Sequence, residues 1–288
     1  VTPPGHDQLV YWITEREAMR LRKEENLLPP WSDNPVMCNT YFCNIDREDD
    51  RVTKWIRHHW RLEYTTPEDY PFAMIMARMF NLPSTLQAIG IPSGPGIAEW
   101  QLQHAKRIIL DLQKSGQTIF SGAYVVSTNG KKMGKVDYLF GLFEQMVKQP
   151  ILYGKGLETC AEAHKQLMEV EGLASFMAAQ VVADLKNTKG YPLYNAPDKR
   201  TFSAYGPGSL RGLGWYHGGE IKPRDYHAAI NEAMDELRFD LPDSILAKLC
   251  MQNLQNCFCE FDKFMRVTNG TGRSKRKYEQ KFMTIGGK

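Results

Sequence analysis

The chain has 288 residues and a formal charge of +3, with 42% hydrophobic and 24% charged residues. Those fractions exclude a disordered or collagen-like chain, and the small positive excess excludes a histone-like arm while leaving room for a local basic groove. A chain of this length buries roughly three quarters of its unfolded surface, so neither a disulfide nor a metal staple is required.

In chain order, residues 51–61 place Val52, Trp55, Ile56 and Trp60 along one helical face. Residues 97–114 repeat apolar side chains every three or four positions, and Gly116 follows as a stop. The stretch 119–127 (IFSGAYVVS) is rich in β-formers and runs into the turn dipeptide Asn129-Gly130, which predicts a short strand. Residues 157–168 read as a helix. A tight turn at Gly172-Leu173-Ala174 comes next, and a new apolar helix starts at Phe176. Residues 243–265 predict one long helix entered from Pro242. The expected fold is therefore mainly α with few short strands. It forms a single helical domain over 1–288 that allows two lobes, and it ends in a basic tail at 271–288.

No apolar run of membrane-spanning length occurs, and the start carries no signal-peptide pattern. Six cysteines without paired ligand spacing point to reduced thiols rather than a zinc site. The expectation is a cytoplasmic protein with no metal and no membrane partner.

Four segments carry candidate chemistry. In 41–61, the acids Asp46, Glu48, Asp49 and Asp50 precede bases, which suits a capped helix. The same segment admits a sharper reading, with Arg57 and Arg61 on a phosphate and Tyr41 and Asn44 on a base. The turn at 172–174 gives 157–185 the shape of a helix-hairpin-helix. The N–H groups near Gly172, Ala174 and Ser175 would bind a DNA phosphate without regard to sequence. The run Gly206-Pro207-Gly208-Ser209 with Arg211 is either a rigid turn or an anion cradle of main-chain N–H, hydroxyl and guanidinium. No Walker A pattern occurs. Finally, 255–263 (QNCFCEFDK) precedes the basic tail with Lys275 and Arg276, which is either a solvated terminus or a DNA contact.

Two resemblances follow from these residues. Asp198 lies 26 residues after Gly172 in the context Ala-Pro-Asp, which resembles the catalytic aspartate of helix-hairpin-helix DNA glycosylases. Where the lyase members carry a lysine, this chain has Phe176, so a lyase step is not implied. A wider resemblance rests on four blocks in order. They are Tyr41-Phe42-Cys43-Asn44 with Arg47 to Arg51, Glu171-Gly172 with Phe176 to Ala178 and Gln180 to Leu185, Gly206 to Ser209 with Arg211 to Leu213, and Gln255-Asn256 with Cys259 to Lys263. Together they resemble the α-glutamyl/putrescinyl thymine pyrophosphorylase family. Its members are also called amino acid:DNA transferases, and the module is also known as the helical domain of 5-hydroxymethyluracil DNA kinases.

That resemblance implies DNA base hypermodification, chiefly in bacteriophages, and a DNA-glycosylase fold. A separate kinase pyrophosphorylates 5-hydroxymethyluracil in double-stranded DNA, and the transferase replaces the pyrophosphate with the amine of an amino acid or polyamine. On this reading the base is flipped out of the duplex. Arg211, Ser209 and the backbone of Gly206 and Gly208 would hold the pyrophosphate. Asp198 is the first candidate for the base that deprotonates the amine and Asp184 the second. Asn44, Arg47 and Asp50 would read the base or orient the amine, Asn256 and Glu260 would bind the amine ammonium, and Tyr41 and Lys263 complete the substrate-binding set. No cofactor is implied, although Mg2+ accompanying pyrophosphate is compatible. A glycosylase and a non-catalytic DNA-binding partner of a kinase remain the alternatives.

Overall fold

The computed structural model describes residues 2–61, 70–92, 99–122, 128, 130–149 and 158–272, with backbone only at 70, 99 and 100. Thirteen α-helices occur among them: α1 (His6–Glu24), α2 (Pro35–Asn39), α3 (Arg51–Ile56), α4 (Tyr70–Phe80), α5 (Pro83–Ile89), α6 (Glu99–Lys114), α7 (Lys135–Met146), α8 (Cys160–Met168), α9 (Ser175–Lys186), α10 (Pro207–His217), α11 (Tyr226–Leu237), α12 (Asp243–Leu246) and α13 (Met251–Thr268). The mainly α expectation holds. No described helix is long and apolar enough to cross a membrane.

Two local expectations change. No strand occurs among the described residues, and the part of 119–127 that is described, 119–122, is irregular. There Thr85 Oγ1 donates to the Ile119 carbonyl (3.1 Å) and the Ser121 N–H donates to the Phe80 carbonyl (3.0 Å). The backbone polar groups are thus satisfied by helical neighbours rather than by a ladder. Residues 243–265 are not one helix but α12 and α13, separated by an extended Cys250 (φ −101°, ψ 167°). The break has a side-chain cause. Asn253 Nδ2 donates to the Lys248 carbonyl (2.8 Å) and to Asp46 Oδ1 (3.0 Å), so the first turn of α13 is tied to the chain before it and to a distant segment.

The chain divides into two compact units, Val1–Asp50 with Ser203–Lys288, and Arg51–Phe202. In the first unit, Trp12, Phe42, Tyr216, Phe258 and Phe261 belong to one apolar core. Its α10 lies hard against α13. A Cβ on Gly212 would fall 2.0 Å from the Phe258 carbonyl oxygen, so only glycine permits this approach.

In the second unit, residues 72–80 of α4 are all buried, which is the pattern of a helix enclosed on every side. Arg78 is the one charge in that stretch. It is received by α9, where its Nε and Nη2 donate to Asp184 Oδ2 (2.6 Å) and Oδ1 (2.7 Å). The remaining donors reach Asn81 Oδ1 and Thr53 Oγ1, both at 3.2 Å. The expected helical hairpin is formed by α8 and α9. Thr159 caps α8 through a bond from the Glu162 N–H (3.1 Å). Gly172 turns the chain at φ +89°, a left-handed conformation that costs other residues. Leu142 leaves no room there, at 2.6 Å from the place of a Cβ.

Candidate functional site

Three of the four sequence blocks meet on α13 within the first unit. Glu260, one of two buried acids of that helix, accepts the Cys43 N–H at 3.1 Å and the Lys263 ammonium at 2.6 Å through Oε2. Lys263 in turn donates to the Tyr41 carbonyl (3.2 Å). Asp50 Oδ1 accepts the Asn44 N–H (3.2 Å), which folds residues 44–50 into a closed loop. Burial pushes the Tyr41 hydroxyl up to about 12, with the nearby charges of Cys43, Asp50 and Glu260 adding to it. Burial, then Glu260 and Asp50, likewise hold the Cys43 thiol well above its ordinary range. Residues 41–50 are thus held to α13 at Glu260 and Lys263, with Asn256 half-buried one turn before Glu260.

Arg16 on α1 belongs to this group and was not singled out from the sequence. Its Nε donates to the Cys43 carbonyl (3.0 Å), and its Nη2 to the Phe42 carbonyl (3.3 Å) and to Asn44 Oδ1 (2.5 Å). The Asn44 amide oxygen is therefore committed to the protein. Arg47 is buried, and its backbone N–H approaches Asn253 Oδ1 at 3.5 Å. The acids of this segment are used one by one rather than as a helix-dipole complement. Asp46 caps the Glu48 N–H (3.0 Å), and Asp49 receives Lys248 (2.9 Å) and Arg20 (3.3 Å).

The second contact with α13 comes from α10. Gly206 is extended, and its N–H donates to Ser209 Oγ at 3.0 Å while the same hydroxyl returns to the Gly206 carbonyl at 3.0 Å. Ser209 is fully buried, so it closes the start of α10 and does not offer its hydroxyl to an anion. Gly208 packs on Cys259, whose Sγ lies 3.3 Å from the place of a Cβ. Arg211 donates through Nε (3.1 Å) and Nη2 (2.9 Å) to Oδ2 of Asp262. Asp262 also accepts Arg266 Nε on Oδ2 (3.2 Å) and the Trp215 indole N–H on Oδ1 (3.3 Å). This buried carboxylate therefore serves two guanidinium groups and an indole.

The two expected bases lie in the second unit and are engaged there. Asp198 accepts the N–H of Cys160 (2.8 Å) and of Ala161 (2.9 Å), one on each carboxylate oxygen, and so caps α8. Asp184 is sealed from solvent in its pair with Arg78. Asp184 is thus closed to a substrate, whereas Asp198 remains half-buried with one N–H on each oxygen. Arg57 is half-buried and Arg61 is buried within a π-helical turn (Arg57–Arg61), which does not make Arg61 a surface phosphate contact. In the hairpin, Ala174 and Phe176 are exposed. The Ser175 carbonyl and hydroxyl approach His164 Nε2 at 3.0 and 3.3 Å. Burial lowers the His164 pKa, partly offset by that carbonyl. Lys275 and Arg276 lie outside the described residues.

No group of three or more His, Cys, Asp or Glu among the described residues is arranged to hold a metal ion. Sequence spacing could not reveal Arg16, Asp262 or Trp215 as parts of these networks, because each bond joins segments far apart in the chain.

Comparison with known proteins places these networks in context. A curated relative, the 5-hmdU DNA kinase of Bacillus phage SP10, is 30% identical over 120 residues. That match covers 40% of this chain and 19% of the relative, so the chain corresponds to less than a fifth of that protein's length. No solved structure matches. The family described as "5-hmdU DNA kinase, helical domain" matches residues 4–274. With nearly the whole chain inside that match, the protein belongs to the family of 5-hmdU DNA kinase helical domains.

Proposed function

We propose that this chain acts in thymine hypermodification as an amine:DNA transferase, replacing the pyrophosphate of 5-(pyrophosphoryloxymethyl)uracil in double-stranded DNA with an amino acid or polyamine. One observation carries the reading: blocks 41–50 and 206–213, distant in sequence, are each held by α13, which carries block 255–263, the one through Glu260 and the other through Asp262. Substitution at an exocyclic carbon needs both kinds of group. The cation side stabilises departing pyrophosphate, and Arg211 supplies it. The carboxylate side holds an ammonium and takes its proton, and Asp50 with Glu260 supplies that. Asp50 is our candidate for the base, a carboxylate fixed in the 44–50 loop by the Asn44 N–H. The amine nitrogen then forms the C–N bond, the C–O bond to pyrophosphate breaks with its electron pair, and the proton passes from Asp50 to solvent. No resident cofactor takes part, and Mg2+ would enter only with the pyrophosphate. A functionally coupled kinase would supply the substrate.

The relative's name favours a second reading, in which the helical domain binds DNA for a kinase and does no chemistry. One assay separates the two. The protein is incubated with DNA carrying pyrophosphorylated hydroxymethyluracil and a panel of amines, and the digested nucleosides are weighed by mass spectrometry. An amine-bearing thymine is the expected product; unchanged nucleoside with every amine would remove the transferase.

A further inference from the structure

The backbone around Asn44 is fixed at its N–H and carbonyl groups alike. The Cys43 N–H goes to Glu260 Oε2 (3.1 Å) and the Asn44 N–H to Asp50 Oδ1 (3.2 Å). The Phe42 and Cys43 carbonyls accept Arg16 of α1, through Nη2 (3.3 Å) and Nε (3.0 Å). Arg16 makes one further bond, from Nη2 to the side-chain oxygen of Asn44 (2.5 Å). A guanidinium has donors and no acceptor, so the end of the carboxamide that meets it must be the oxygen. The amide is therefore set one way round. Oδ1 is committed to Arg16, and Nδ2, with its two N–H donors, is the end that remains. Among the described residues nothing accepts from Nδ2, and Asn44 is half-buried. A donor held in such a place gains from an acceptor that arrives with a ligand.

We infer that Arg16 determines base specificity: it holds Asn44 as a donor only, so that the site takes a pyrimidine with a carbonyl at ring position 4 and rejects one with an amino group there. Uracil and thymine carry an acceptor at that position and cytosine a donor. A donor facing Nδ2 leaves two donors unpaired, which costs affinity. Position 4 follows from the neighbourhood of Asn44. Asp50, the proposed base, holds the Asn44 N–H, so Asn44 lies beside the group that works at the 5-methylene. The ring atom next to that methylene carries the 4-oxygen. The ammonium of an incoming amine is also a donor and finds no acceptor at Nδ2, so Asn44 serves the base and not the amine. Arg16 is a positioning residue, since it acts through Asn44. Without it the carboxamide turns over and presents either end.

This inference rests on the proposed function for placing a modified pyrimidine at Asn44, but its test requires no turnover. The full chain is titrated with two fluorescent duplexes that differ in one base, 5-hydroxymethyluracil or 5-hydroxymethylcytosine. Each stands opposite an abasic site, so neither loses a base pair on leaving the stack. The uracil duplex is expected to bind about tenfold tighter, the size of one hydrogen bond exchanged for unpaired donors. Asn44→Asp keeps the shape and the bond from Arg16 but turns the remaining end into an acceptor, and should shift the preference to the cytosine duplex. Arg16→Gln, whose amide offers a donor or an acceptor, no longer dictates the orientation and should erase most of the preference. Arg16→Lys, another cation with donors only, should keep most of it. The ratio of the two affinities is the readout, because a merely structural loss weakens both duplexes alike. Equal binding by the wild-type chain would overturn the inference, as would a uracil preference that survives Asn44→Asp or a ratio unchanged by Arg16→Gln. A uracil preference without amine transfer in the nucleoside assay would sink the transferase and leave Arg16 its role, and amine transfer with equal binding would do the reverse.

Discussion

Arg78–Asp184 and Arg211–Asp262 use the same chemistry in opposite settings. In the second unit the side chains are 1% and 0% exposed, and the arginine's remaining donors go to Asn81 and Thr53. In the first unit the carboxylate is equally hidden, but the arginine reaches out and is 53% exposed. A sealed pair is a structural lock, since its charges meet nothing that could arrive from solvent. A half-open pair holds a cation in place without covering it, which is what a binding group requires. The contrast teaches that a buried aspartate by itself says little about catalysis; the exposure of its partner says more.

Three changes test that contrast, and the largest effect belongs to the lock. Asp184→Ala strands a buried guanidinium and should cost about 3–5 kcal/mol of folding free energy in urea titration, the range for breaking a buried pair. A loss near zero would mean that α4 and α9 are held by apolar packing alone. Next comes Asp198→Ala, which removes the acceptor for two N–H groups of α8 and should cost about 1 kcal/mol, typical of a lost cap. Transfer activity, measured as amine-bearing thymine formed, should persist in this variant; its abolition would return Asp198 to the role of base. The smallest change in stability is expected for Arg211→Gln, within about 1 kcal/mol by the same titration, as befits a half-exposed partner. If Arg211→Gln proved as damaging as Asp184→Ala, the half-open pair would be a lock as well.

Much of the helical framework could be read from the chain. Gly116 ends α6 and Gly172 turns the hairpin because the backbone at each adopts a left-handed conformation. The apolar periodicity of α13 was visible, and so was the grouping of its polar residues Asn256, Glu260 and Lys263. Two kinds of feature were hidden. One was the break before α13, where no glycine or proline marks the stop and the cause is a side chain, Asn253, reaching back to Lys248. The other was partnership. Asp198 reads as a catalytic base from its Ala-Pro-Asp context, and the N–H groups it accepts belong to Cys160 and Ala161, 38 and 37 residues away. Arg16 lies in no motif of the sequence, and its carbonyl partners at Cys43 and Phe42 are equally remote. Local pattern fixes which residues point inward; it does not say whom they meet there.

The division of the chain also bears on the order in which the protein is made. The first unit is assembled from both ends of the sequence, residues 1–50 and 203 onward, with the second unit encoded between them. On the ribosome, α4, α8 and α9 have all emerged while α1 still lacks α10 and α13. The apolar core that holds Trp12 and Phe42 therefore stays incomplete until α13 has been synthesised.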